Sequence, residues 1–401
     1  MAVKKLFTLF NIKNALVVIF ILSIFFSNAI NNISFFILLG ISIFEIAKKK
    51  KIEFNKLYFF LVFVFLYLIL EIVLFGDFTE DSQIILRYLL LAVFPLLFYA
   101  DKHFLSSFKK CYLIAYSVFL VVIFYGVILN YINFQEFNFY TTGKNIKNFL
   151  YIERLYFGLS SMIAGVFIID VFKEKIKIKY VLLSLVFLAN FLISSRLSTL
   201  FLIFLIFIQC FKNFNLKLSY KNILAFIGIL VIGFFFISKN KGIKERLFLN
   251  VSNLDEFIEE VKIKEPRFAI WRCVANLKNK EEFNSLIGYK TDLQIENDLI
   301  KCYSETIYIK DKREWFVKNK YNSHNQFFYI YLLHGAIALI LFILFLLVAP
   351  FINKSSSVTF FSIIVISFLF IENPFFRQIG VYLIGICLSL LCYPDKKKSY
   401  V

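Results

Sequence analysis

Apolar stretches of roughly 15–24 residues recur along the chain, each long enough to cross a hydrocarbon layer about 30 Å thick. The clearest occupy residues 15–30, 57–75, 111–132, 180–194, 223–238 and 326–350. Shorter or weaker ones occupy 33–47, 84–100, 155–172, 197–211, 356–371 and 379–393. With 60% hydrophobic residues, 20% aromatics and a mean hydropathy of +0.75, the chain falls outside the soluble globular class, whose apolar share is about one half. The expectation is an all-α polytopic membrane protein of about twelve transmembrane helices. Helices 1–9 fall in residues 1–238, a helical extracytoplasmic loop in 239–325, and helices 10–12 with a cytoplasmic tail in 326–401. Lys4, Lys5 and Lys13 precede the first span, but no small-residue cleavage site follows it, so it reads as a retained helix.

The net charge of +18 fits basic cytoplasmic loops, and no nucleic-acid partner is needed to account for it. With twelve spans and the N-terminus inside, the inner segments carry lysines and no arginine, among them "KKKKIEFNK", "DKHFLSSFKK" and "KEKIKIK". The short outer loops hold only Lys144 and Lys147 with Arg154, Arg196 and Arg377. The positive-inside rule therefore places both termini in the cytoplasm and His324 outside. The Lys-rich loop 239–325 departs from the pattern, as long translocated loops do.

Every arginine (Arg87, Arg154, Arg196, Arg246, Arg267, Arg272, Arg313 and Arg377) falls on the outer half of this topology. Arginine offers a planar fork of donors that grips carboxylate or phosphate bidentately, whereas lysine is a flexible point charge. Arg87, Arg154, Arg196 and Arg377 come from different spans yet lie at similar depth. A charge within an apolar span costs about 2.5–3.5 kcal/mol on insertion scales, which makes such residues functional candidates. The alternative is snorkelling to lipid headgroups.

"SSR" (194–196) forms a polar turn between two spans, and Pro266 opens a helix, "PRFAIWRCVANLK", that puts Arg267 and Trp271 on one face. "SNLDEFIEEVKIK" (252–264), with Ser252 as its cap, and "TDLQIENDLIKCYSE" (291–305) read as further helices of a small outer subdomain suited to act as a lid. Cys273 and Cys302 share this loop; they bridge if it faces an oxidising compartment and are otherwise two thiols. The stretch "NSHNQFFYIYLLHG" (322–335) sets His324 and Asn325 at the mouth of a span. An imidazole at that interface can serve as a general base near neutral pH. His334, within the span, reads as a packing residue, and Gly335 as a site of close helix contact. No HExxH, His/Cys cluster or DxD pair appears on the outer side, and no phosphate-binding glycine loop anywhere, so neither metal nor nucleotide is expected. An outward-facing site of this kind calls for a substrate already activated on a lipid carrier.

"HNQFFYIYLLHGAIA" (324–338) resembles the signature of bacterial O-antigen ligases and related O-antigen polymerases. That signature runs His, then Asn, Ser or Gln, nine residues, Gly, two residues, and Gly, Thr or Tyr. His324, Asn325 and Gly335 match; Ala338 departs from the last position. "LISSRLSTL" (192–200) is similar to the family's Ser-Arg turn, "RFAIW…LIGYK" (267–290) to its Arg-x-x-x-Trp helix and loop glycine, and "IENPFFRQIGVY" (371–382) to its acidic and Arg element. The resemblance implies a GT-C-like glycosyltransferase of the bacterial inner membrane with a periplasmic active site. It would move a glycan from undecaprenyl pyrophosphate to an acceptor sugar hydroxyl without metal or other cofactor. In that reading His324 activates the acceptor. Arg196, Arg154, Arg87, Arg267 and Arg377, with Asn325, Trp271 and Glu372, bind pyrophosphate and glycan. The acceptor is lipid A–core for a ligase and a growing polysaccharide for a polymerase; the His-Asn-x9-Gly spacing favours the ligase. A transporter of lipid-linked oligosaccharide is the competing class, although such proteins carry midplane charges and internal repeats, and no repeat is found here.

Overall fold

The structure, a computed structural model, describes residues 2–49, 54–99, 103–134, 152–193, 195–213, 265–289 and 291–393. The expected span 223–238 and the expected helix 252–264 lie outside the described residues, as do Lys144, Lys147, Ser194 and Arg246. All other expected spans coincide with helices. In chain order these are α1 (Ala2–Phe26), α2 (Asn28–Lys48), α3 (Lys56–Phe75), α4 (Ser82–Val93), α5 (Leu96–Tyr99), α6 (Phe104–Phe134), α7 (Arg154–Val171), α8 (Ile176–Leu192) and α9 (Arg196–Asn213). After the long loop come α10 (Pro266–Leu277), α11 (Asp292–Thr306), α12 (Lys310–Asn319), α13 (Gln326–Ile352), α14 (Ser356–Ile371), a 3-10 turn (Pro374–Phe376) and α15 (Gln378–Cys392).

Among the described residues, six helices are long and apolar enough to cross a membrane. With no water in a bilayer core, every backbone amide must be satisfied within the segment. Phe- and Ile-rich sequence that would favour strands in water therefore becomes helix there. Large side chains face outward along these helices, including Ile33, Phe59, Leu74 and Val121, each at least 60% exposed. Such belts suit lipid, not water.

The helices form two compact units, one of Met1–Phe20, Ser27–Phe108 and Glu265–Val401, the other of Ile21–Phe26 and Lys109–Lys264. In the first, α15 is the central post, with every residue from Gly380 to Cys392 buried. Its Tyr382 ring meets Phe20 and Phe35 at 5.3 and 5.1 Å. Gly385 faces the Phe94 ring so closely that a Cβ there would come within 2.5 Å. Pro95 separates α4 from α5 because it lacks the amide that would continue the helix. At one end of this unit, Asn55 Nδ2 donates to Asn353 Oδ1 (3.3 Å), Asn353 Nδ2 to Leu391 O (2.6 Å), and Tyr99 Oη to Cys392 O (3.1 Å). The start of α3 and the ends of α5, α13 and α15 therefore share one end, all termini that lysine counting assigns to the cytoplasmic side.

In the second unit, α7 is buried continuously from Tyr156 to Ile168 and packs against α8 and α9. Its hydroxyls pair inward: Tyr112 Oη with Ser160 Oγ at 2.7 Å, and Tyr116 Oη with Ser161 Oγ at 2.6 Å. Gly158 lets Ser195 approach, since a Cβ there would lie 2.4 Å from the Ser195 hydroxyl. Small residues at such crossings allow the close backbone contact that holds helices together in lipid.

Helices α10 and α11 are joined by a Cys273–Cys302 disulfide, with Cα atoms 5.7 Å apart. Their turn 284–288 packs onto α13 at Gly335. The expected close helix–helix contact is instead a break in the helix, with φ +73° at Gly335. A Cβ there would lie 2.2 Å from the Leu286 carbonyl carbon, and one on Gly288 (φ +72°) would lie 2.5 Å from that of Leu333. Only glycine serves at both positions.

Tyr308, 87% exposed at the α11–α12 junction, provides a test of sidedness. Tyr308→Cys should react with an impermeant thiol reagent in intact spheroplasts, and Ser106→Cys, exposed near the start of α6, should react only after lysis. The reverse pattern would move His324 to the cytoplasm.

Candidate functional site

Asn325 begins the site by capping α13: its Oδ1 accepts from the amides of Phe327 (2.9 Å) and Phe328 (3.1 Å). The residue before it, His324, has φ +42°, a left-handed backbone that His adopts far less often than Gly. The conformation is held from both sides. Asn322 Oδ1 accepts the His324 amide at 3.1 Å, and Ser323 Oγ donates to Asn325 O at 3.0 Å. A backbone outlier fixed in this way marks a segment whose side-chain direction matters.

His324 points at Glu372. Its Nδ1 lies 3.3 Å from Glu372 Oε2, at the long end of hydrogen bonding. Glu372 is 6% exposed at the side chain and His324 21% exposed, so the carboxylate is enclosed while the imidazole keeps an open edge. Burial alone would push the Glu372 carboxyl up. The hydrogen bond and charge of His324, the Asn373 amide and Arg377 outweigh it, and the net shift is downward. A carboxylate on Nδ1 orients the ring and leaves Nε2 to meet a hydroxyl, the arrangement that a general base requires.

The surroundings are polar and incompletely satisfied within the protein. Asn373 Nδ2 donates to Ser323 Oγ at 2.8 Å, and Gln326 Oε1 accepts from the Phe375 amide at 3.2 Å. Asn325 Nδ2, Gln326 Nε2 and Asn373 Oδ1 are buried with no hydrogen-bond partner. Few buried polar atoms in native proteins lack a partner, and three clustered around one histidine point to a polar ligand. Behind His324, the Tyr321 ring stands 5.4 Å away and rests against Trp315 and Phe316 of α12. Helix α12 thus supports the imidazole through Tyr321.

The other expected residues divide by location. Trp271 wedges between Phe328 of α13 and Phe370 of α14, with centroids 5.9 and 5.8 Å away, and joins α10 to the two helices that carry the dyad. Arg267, on the same helix, pairs with Glu265 at 3.1 Å. Arg87 donates to Gln83 at 3.1 Å and acts electrostatically on Asp292. Arg154 and Arg196 belong to the second unit, each the first residue of a helix, at the start of α7 and of α9. The Gly158–Ser195 contact brings these two helix starts together. A helix N-terminus favours an anion, and each of these two is headed by an arginine. Among the described residues, no three His, Cys, Asp or Glu side chains gather into a group able to hold a metal ion.

Two clusters went unread in the sequence. His334, expected as a packing residue, is fully enclosed but bonded: its Nδ1 lies 3.0 Å from Glu71 Oε2 and its Nε2 3.1 Å from Tyr88 Oη. Glu71 also accepts from Tyr67 Oη at 2.8 Å. A lone carboxylate within the apolar span 57–75 was the available signal. Nearby, Asp292 accepts from Tyr329 Oη at 2.8 Å, and its amide donates to Asp81 at 3.2 Å. Burial, the largest cause, raises Asp292 to about 6.

The two carboxylates give opposite pH dependences. Glu372, held below its ordinary range, adds stability that is complete above that range and is lost as pH falls through the lowered value. Asp292 keeps a proton in the fold between about 4 and about 6 that the unfolded chain has released, so its contribution declines as pH rises through that window. In detergent, Glu372→Gln should flatten the loss of melting temperature on acidification, and Asp292→Asn should flatten the loss between about pH 4 and 6. Melting profiles of both variants that parallel the parent would contradict these environments.

Compared with known proteins, the chain matches no protein-family model and no curated protein sequence.

Proposed function

We propose that the chain is a glycosyltransferase of the bacterial inner membrane, with twelve spans, a GT-C-like fold, both termini cytoplasmic and the site at the periplasmic face. The observation that carries this reading is the His324–Glu372 dyad at the mouth of α13, with a buried carboxylate on Nδ1 and a partly open imidazole. In this reading His324 Nε2 takes the proton of an acceptor sugar hydroxyl as the oxygen attacks the anomeric carbon of a glycan linked to undecaprenyl pyrophosphate. The bond to the pyrophosphate breaks, and the leaving group departs with its electron pair and negative charge. Fixed cations are most useful where that charge develops. Arg377, whose charge reaches Glu372, is one such cation within the first unit, and Arg154 and Arg196 are expected to bind pyrophosphate from the motif resemblance. Glu372 orients the ring and stabilises the imidazolium, a role closer to the reaction than glycan binding.

The spacing of the His motif favours transfer to lipid A–core, as in an O-antigen ligase, with polysaccharide polymerisation as the alternative. A lipid-linked oligosaccharide transporter is the other class, and the buried Glu71–His334–Tyr88 group is the feature that suits it. That group lies within the last two turns of α3, whereas transporter sites lie near the midplane.

His324→Ala should abolish glycan transfer, a loss of at least about 100-fold, with insertion unchanged. Arg196→Lys should lose about tenfold or more because the bidentate geometry goes; Arg313→Lys should stay within about twofold, the range of an ordinary surface substitution. Deleting the gene should leave long glycan chains on undecaprenyl pyrophosphate and none on lipid A–core. Lipid A–core capped by a single repeat unit would make the chain a polymerase. Wild-type surface glycan from the His324→Ala strain would remove the enzyme reading.

A further inference from the structure

We infer that the turn 284–288 is a re-entrant element whose tip, Leu286 and Ile287, is immersed in the outer-leaflet hydrocarbon of the membrane. The inference rests on the orientation of α13 and not on the chemistry proposed at His324. Helix α13 has 27 residues; at 1.5 Å per residue it is about 40 Å long, roughly 10 Å more than the hydrocarbon layer. Its inner end is marked by Asn353 and Lys354, so the excess lies outside. Gly335 then stands roughly 26 Å above Ile352, just beneath the outer hydrocarbon boundary. The turn is pinned at that depth by backbone contacts: Ala336 N donates to Ser285 O at 2.9 Å and Tyr289 N to Leu332 O at 2.7 Å.

Irregular backbone is tolerated at membrane depth only where its polar groups find partners within the protein. This turn meets most of that condition, with four of its five amides and three of its five carbonyls bonded. Asn284 and Gly288 exchange amide-to-carbonyl bonds at 3.4 and 2.7 Å, and Asn284 Oδ1 accepts from the amides of Leu286 (2.9 Å) and Ile287 (3.3 Å). Turns in water favour Gly, Asn, Asp and Ser; Asn284, Ser285 and Gly288 are of that kind, but the tip carries Leu286, 57% exposed, and Ile287, 39% exposed. A turn with four amides capped and two branched aliphatic side chains turned outward matches hydrocarbon as its partner.

The test uses the full chain in lipid vesicles, with Trp271→Phe and Trp315→Phe so that a single reporter remains. Leu286→Trp should emit at short wavelength and be quenched several-fold by lipids brominated high on the acyl chains, with little effect from iodide. Tyr308→Trp in the same background should show the opposite. A Leu286→Trp signal quenched by iodide and not by brominated lipid would overturn the inference. A second measurement keeps the indole background out of the question. In spheroplasts, Asn279→Cys, exposed just before the turn, should react with an impermeant thiol reagent, and Ile287→Cys should react only after detergent is added. Equal labelling of the two, or labelling of neither before lysis, would reject the placement. Loss of glycan transfer alone, with these patterns intact, would bear on His324 and leave the turn in place.

Discussion

The contact between the Gly335 backbone and the Leu286 carbonyl is the constraint on which the rest of the first unit depends. It occurs where α13 breaks, and the break is possible because Gly335 carries no side chain at φ +73°. The freed helical groups find partners in the turn, so an outer subdomain becomes part of a membrane helix instead of hanging from it by a linker. The Cys273–Cys302 bridge carries that attachment into α10 and α11, and Trp271 returns it to α13 and α14 through Phe328 and Phe370. His334, immediately before the break, closes the same junction from within through Glu71 and Tyr88.

On this frame the mouth of α13 can hold an uncommon conformation. His324 sits in the left-handed region, fixed by Asn322, Ser323 and the Asn325 cap, and backed by Tyr321 and the aromatic face of α12. Glu372 comes from the far side of the sequence, at the end of α14, and is buried where it can address only Nδ1. Strain, an enclosed carboxylate and orphaned amide groups in one place are what a reactive site needs and what a packed core avoids. Within the second unit, Arg154 and Arg196 head two helices whose first turns approach through Gly158 and Ser195.

Much of this was legible in the sequence because lipid enforces a simple code. Apolar length marked the helices, and the Asn55–Asn353–Leu391 bonds gather the start of α3 with the ends of α13 and α15. His324 and Asn325 stood out by their place at the mouth of a span, Arg267 and Trp271 by helical spacing, and Glu372 only through the resemblance of the segment 371–382. What escaped depends on pairing across long separations. Gly335 and Gly288 could each be noticed, but nothing local says that one backbone inserts against the other. His334 was correctly read as enclosed, yet its partners lie on α3 and α4. Helix α15 looked weak because it is short; its burial by protein on every side, not by lipid, permits that length. Glu372 was read as a ligand of pyrophosphate or glycan, and nothing local revealed that its side chain faces His324.

The central claim is that His324 and Glu372 perform group transfer at the outer face. Purified protein in vesicles, given a glycan on undecaprenyl pyrophosphate and an acceptor glycan, tests it most directly. Free undecaprenyl pyrophosphate should appear in one-to-one proportion with glycosylated acceptor, and neither should form with Glu372→Gln at more than about a hundredth of the parent rate. Movement of the intact donor between leaflets, with no pyrophosphate-linked lipid released, would contradict the account.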